Sequence, residues 1–249
     1  MTDEPLLPDI RVFPTVPALA TAAADLFVEL CGQAISHNGV FSIGLSGGST
    51  PKALFELLAK EPYASRVDWP SVDVYFVDER CVPPDHADSN YRMAKEALLS
   101  KVPLRPHAVH RMKGELDPEA AAKEYGLLLQ QKFDDGGLDL CLLGMGDDGH
   151  TASLFPGTAA VNEARHRVVA NYAENSTTGK SWRITMTAPF INRSAVAAIM
   201  VAGAGKAPTV ARVLEGEPDP VKFPIQLIRP DGGKLIWMLD AAAAGMNEA

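Results

Sequence analysis

At 249 residues, 47% of them apolar, the chain is long enough for one large α/β domain or two small ones and has ample material for a core. A formal charge of −8 disfavours a nucleic-acid surface, which needs a basic face, and no stretch approaches 18 uninterrupted apolar residues of the kind that spans a membrane. Three separated cysteines (Cys31, Cys81, Cys141) have no metal-like spacing, and the acidic, proline-rich first 11 residues are unlike an export signal, so reduced thiols in a cytoplasmic protein are expected.

Residues 16–37 are alanine-rich with apolar positions at helical spacing, and Asn38-Gly39 is a stop signal. A strand over 40–45 follows. Ser46-Gly47-Gly48-Ser49-Thr50-Pro51 then turns into a helix over 51–60, with proline at the favoured first position. A strand over 72–77 and helices over 89–100 and 118–132 precede a strand over 138–143. Further strands are expected over 167–171, 182–187, 195–201 and 234–239, with a helix over 206–214. No repeat, low-complexity tract or long linker interrupts the alternation. The expected architecture is therefore α/β, one doubly wound domain over 1–249 whose central sheet is mostly parallel and flanked by helices.

Four strand ends carry chemistry. Residues 144–157 follow the apolar run 138–143 with four glycines, Asp147, Asp148 and His150, at the sheet edge where open α/β folds bind ligands. Gly144, Gly146 and Gly149 spell the dinucleotide fingerprint, but that motif needs a helix whose N-terminal amides meet a pyrophosphate, and Pro156-Gly157 break the chain too soon. Asp147 and Asp148 would also repel phosphates. The two carboxylates are adjacent in sequence and no second histidine motif accompanies them, so neither a metal nor another cofactor is indicated. His150 is the candidate general base, because imidazole titrates near neutrality and Asp148 stands two residues away to tune it.

At the loop after 40–45, Gly47, Gly48, Ser49 and Thr50 offer backbone N–H groups and hydroxyls at a helix start, the parts that bind a phosphate without a charged side chain. The strand ending in Asp78-Glu79-Arg80 adds an arginine fork for phosphate or carboxylate and an acid that can orient a hydroxyl, with Glu79 read as a solvated strand end. Asn90 and Arg92 open the next helix within reach of the same crevice. Gly203-Ala204-Gly205-Lys206 repeats the strand, glycine, helix-start pattern with a lysine added as a point charge, and Arg183 is a weaker cationic candidate.

Taken in order, Ser46 to Pro51, Asp78-Glu79-Arg80, Ser89-Asn90-Tyr91-Arg92, Gly144 to Pro156, Arg183-Ile184-Thr185 and Gly203-Ala204-Gly205-Lys206 resemble the 6-phosphogluconolactonases of the glucosamine/galactosamine-6-phosphate isomerase superfamily. The resemblance implies a fold shared with glucosamine-6-phosphate deaminase and hydrolysis of 6-phosphogluconolactone, the second step of the oxidative pentose phosphate pathway. It further implies that a phosphosugar lactone is the partner, His150 the base, Asp148 its orienting acid, and glycine-loop amides or Arg80 the oxyanion donors. A rival deaminase or isomerase chemistry would need a further acid in the loop, where this chain has Ser153-Leu154-Phe155-Pro156. A non-catalytic phosphosugar sensor is the other rival, and retention of Asp148 with His150 argues against it.

Overall fold

The computed structural model describes residues 8–174 and 181–246. β1 (Asp9–Phe13) leads into α1 (Val16–Asn38), β2 (Phe41–Leu45), α2 (Ser49–Leu58) and the short α3 (Tyr63–Arg66). After them come β3 (Val72–Phe76), β4 (Asp78–Arg80), α4 (Asn90–Ala94), β5 (Val109–His110), α5 (Pro118–Phe133) and β6 (Leu140–Leu143). The remainder comprises β7 (Val168–Ala173), β8 (Ser181–Met186), α6 (Ala188–Ile191), β9 (Val196–Val201), α7 (Ala207–Glu215) and β10 (Lys234–Asp240).

Seven strands form one parallel sheet in the order β1-β10-β9-β6-β2-β3-β5. Every residue of β2, β6 and β9 is buried, as expected for strands covered by helices on both faces. From β2 the chain moves outward through β3 to β5, then returns to the other side of β2 with β6 and moves outward through β9 to β10. The winding direction reverses between β2 and β6. Loops leaving the carboxyl ends of those two strands diverge and open a crevice, the usual place for a ligand in such sheets.

Helix α1 starts at Thr15, whose side chain accepts the Ala18 N–H, and stops where Gly39 takes a left-handed φ of 77°. By length and composition this helix could cross a membrane, yet Leu19, Ala23, Phe27 and Cys31 are buried in the domain core. Phe27 packs edge-on against Phe41 of β2, ring centroids 5.3 Å apart.

Four features differ from the sequence reading. β1 lies in what reads as an irregular acidic terminus; five residues with no long apolar run gain strand structure by pairing along β10. β5 is a two-residue strand, too short for a periodic signal. The helix expected over 89–100 is α4 followed by a π-helical stretch, Lys95–Leu99. Most consequential, the strand expected to run on into Asp78-Glu79-Arg80 ends at Phe76. Val77 donates its N–H to Leu45 of the large sheet and accepts at its carbonyl from Met186, so the chain crosses there into a second sheet. That antiparallel sheet, in the order β4-β8-β7, also takes the strands expected over 167–171 and 182–187. The crossing swings β4 over the carboxyl edge of the large sheet.

Candidate active site

A cavity of about 260 Å³ sits at the switch point, lined by the loops after β2, β6 and β9 and by Asp78, Arg80 and Asn90. Two larger hollows, about 840 and 650 Å³, lie along β7. Size does not select the site here; convergence of three central strand ends does.

The loop after β2 supplies Gly47, Gly48, Ser49 and Thr50 to the cavity wall. Helix α2 starts without a side-chain cap, and among the described residues the N–H groups of Ser49 and Thr50 have no partner. The helix dipole and these orphan donors are chemically suited to holding an anion. Gly47 is crowded by a neighbouring side chain: a Cβ there would stand 1.9 Å from Oδ1 of Asn90, which would have to move. Asn90 in turn donates its side-chain amide to the Asp78 carbonyl at 2.9 Å and to Oδ1 of Asp78 at 3.2 Å.

The loop after β6 makes no helix. It closes on itself, the Gly146 N–H donating to the His150 carbonyl at 2.8 Å and the Gly149 N–H to the Gly146 carbonyl at 3.1 Å, while the Thr151 hydroxyl caps the Gly144 carbonyl. Two of the glycine-loop amides, the class of oxyanion donor that the resemblance implies, are therefore spent inside the loop. What the closure presents is His150, which lines the cavity, lies tilted against Phe155 with ring centroids 4.4 Å apart and holds Nδ1 2.5 Å from Oδ1 of Asp148. A Cβ at Gly146 would come within 2.1 Å of that nitrogen. Burial alone would raise the Asp148 carboxyl, but the ring and backbone N–H of His150 and the imidazole's charge outweigh it and hold it below its ordinary value.

From the second sheet, Asp78 and Arg80 reach the cavity. Asp78 is buried and accepts the Ser153 hydroxyl at Oδ2, 2.7 Å away. Arg80 donates through Nη1 to the Asp88 carbonyl at 2.7 Å. Glu79 is not a solvated strand end: it is 2% exposed and accepts from the backbone N–H groups of Arg80, Asn90 and Tyr91 and from the Ser89 hydroxyl. Burial pushes its carboxyl up against the downward pull of those donors. After β9, Lys206 lines the cavity and pairs with Asp147 at 2.7 Å; Asp240 holds the loop that carries it, accepting the Gly203 N–H at 3.0 Å.

Two expected cations are not brought to the cavity. Arg92 turns to Glu96 at 2.7 Å and to the Asp85 carbonyl at 3.1 Å, because its helix ends within two turns and Glu96 stands one turn on. Arg183 is buried in β8 opposite Arg80, donating to the Ser181 hydroxyl and the Trp182 carbonyl, and burial holds its guanidinium below the ordinary arginine range. Sequence reasoning passed over Glu79, Ser153 and Asp240. The only signal for Glu79 was a helix start at Ser89 whose amides needed an acceptor; Ser153 and Asp240 gave none, since their partners lie 75 and 37 residues away.

The family model for glucosamine-6-phosphate isomerases/6-phosphogluconolactonase matches residues 14–237. The chain belongs to this family. A curated 6-phosphogluconolactonase of Nostoc is 40% identical over 240 residues, covering 94% of this chain and 96% of the relative. A probable chloroplastic 6-phosphogluconolactonase of Oryza sativa is 40% identical over 249 residues, covering 95% and 75%. The solved structure of the Trypanosoma brucei 6-phosphogluconolactonase is similar at a TM-score of 0.86 and 29% identity, with 97% and 99% covered. In a family whose description spans isomerases and a lactonase, the segment after His150 is informative. Ser153 stands there without a carboxylate and spends its hydroxyl on Asp78.

Proposed function

We propose that this protein hydrolyses 6-phosphogluconolactone to 6-phosphogluconate. The observation that carries the reading is the 2.5 Å contact between Asp148 and His150 in a cavity that also holds an uncapped helix start. With Nδ1–H given to Asp148, Nε2 is the nitrogen left to take a proton from water as it attacks the lactone carbonyl, a role typically worth about 10²–10⁴-fold in rate. Asp148 fixes the tautomer and stabilises the imidazolium that forms.

The phosphate is placed on the Ser49 and Thr50 amides with Lys206 beside it, and Asp78, held by Ser153 and Asn90, is positioned to accept a sugar hydroxyl. Since the Gly146 and Gly149 amides are occupied, Arg80 is the donor assigned to the developing oxyanion. The absence of an acid at Ser153 favours hydrolysis over proton transfer between carbons. We place the protein in the cytoplasm, supported by three free thiols.

The deciding assay generates the lactone with glucose-6-phosphate dehydrogenase and follows its loss above the spontaneous rate. Acceleration is expected. An unchanged rate alongside measurable 6-phosphogluconate binding would replace the enzyme with a phosphosugar sensor.

A further inference from the structure

Asp147 and Asp148 are neighbours in sequence, yet the loop turns them to separate tasks. Asp148 holds His150, whereas Oδ1 of Asp147 lies 2.7 Å from Nζ of Lys206. The lysine side chain is 26% exposed on the cavity wall and the aspartate 73% exposed outside it. Thr209 of α7 fixes the same residue from its other end, its hydroxyl donating to the Asp147 carbonyl at 2.6 Å. The cation at the start of α7 is thus tied to the loop that carries the base.

We propose that Asp147 is a positioning residue that sets the anion affinity of the cavity, serving as the resident counter-ion of Lys206 that an arriving phosphate displaces. This rests on the phosphosugar reading of the site. An ammonium is a compact point charge on a flexible stem, so it can swing from one anion to another without rebuilding its surroundings. A carboxylate standing mostly in water holds it weakly and gives it up at small cost, while a phosphate near two negative charges on the orphan amides of α2 is the stronger partner. The pair keeps Lys206 aimed and neutralised in the free protein, resisting simple anions, and it competes with phosphate for the same ammonium, which loosens substrate and product alike.

The test is a double-mutant cycle in which 6-phosphogluconate is titrated calorimetrically into the full-length wild type, Asp147→Asn, Lys206→Met and the double variant at low salt. Asp147→Asn is expected to bind about two- to fivefold more tightly, the range for an exposed ion pair. The gain should shrink as added salt screens the pair, and in the Lys206→Met background the same change should alter affinity less than about 1.5-fold. Asp147→Ser provides a second variant reading the same cycle. Weaker binding on losing the carboxylate, or an equal gain with and without Lys206, overturns the proposal and leaves the phosphosugar reading standing. No binding of 6-phosphogluconate by the wild type overturns both.

Discussion

The loops after β2 and β6 leave adjacent strands at the same switch point and solve different problems. The first hands straight into α2 and works through backbone: its N–H groups are presented by a helix start and none of its residues from Ser46 to Pro51 is charged. The second makes no helix, spends its own amides in closing, and works through side chains, setting Asp147 on Lys206 and Asp148 on His150. A helix terminus holds an anion with fixed partial charge that does not titrate. Proton transfer needs a group that does. Fixed backbone charge and a titratable ring are therefore offered by two neighbouring strand ends, and removing the ring should leave the helix start intact.

The largest break should come from His150→Ala. We expect the catalysed rate to fall about 10²–10⁴-fold in the lactone assay, while calorimetric affinity for 6-phosphogluconate stays within about threefold. Turnover near wild type would remove His150 as the base. Asp148→Asn should cost about 10–100-fold, the worth of a hydrogen bond to a charged group. Its sharper signature is a split between turnover and binding: kcat should fall while affinity for 6-phosphogluconate stays within about threefold. A loss of binding as large as the loss of kcat would mean that Asp148 only holds the fold of the loop.

Gly47→Ala attacks the first loop. The new Cβ must displace Asn90, so stability in chemical denaturation should drop by about 1–3 kcal/mol and phosphosugar binding should weaken; an unperturbed melt with normal affinity would contradict the crowding. The smallest effect lies outside both loops. Burial alone would raise the Glu163 carboxyl, but the amides of Arg165 and His166 and the His166 ring hold it at about 2. A folded value below the unfolded one, roughly 4.3, contributes stability above the unfolded value that is lost as pH falls through the folded one. Glu163→Gln should therefore be less stable than wild type at neutral pH, with the two curves converging toward pH 2 and hydrolysis unaffected throughout.

The legible part of the molecule is the part written locally. Residues 16–39 carry their periodicity and stop signal in contiguous sequence, and the observed helix ends within one residue of the expected end. The runs that became β2, β3, β6, β9 and β10 were readable because strands buried on both faces are nearly continuous in apolar residues. The approach of Asp148 to His150 could be anticipated because two residues separate them. β1 was hidden because it has no long apolar run and β5 because two residues carry no period; both exist through their neighbours.

The sequence by itself determined the alternation of strands and helices, the glycine-marked strand ends and the placing of an acid beside an imidazole, since all of these depend on residues a few positions apart. Only the tertiary structure decided that Val77 turns the chain into a second sheet, that Arg92 and Arg183 are held away from the cavity, that Glu79 is an interior acceptor, and that Asp147 faces Lys206. The crossing at Val77 and the Asp147–Lys206 pair join segments tens of residues apart; Glu79, Arg92 and Arg183 find partners within a dozen residues, but which ones they take depends on how the closed core presents donors and acceptors.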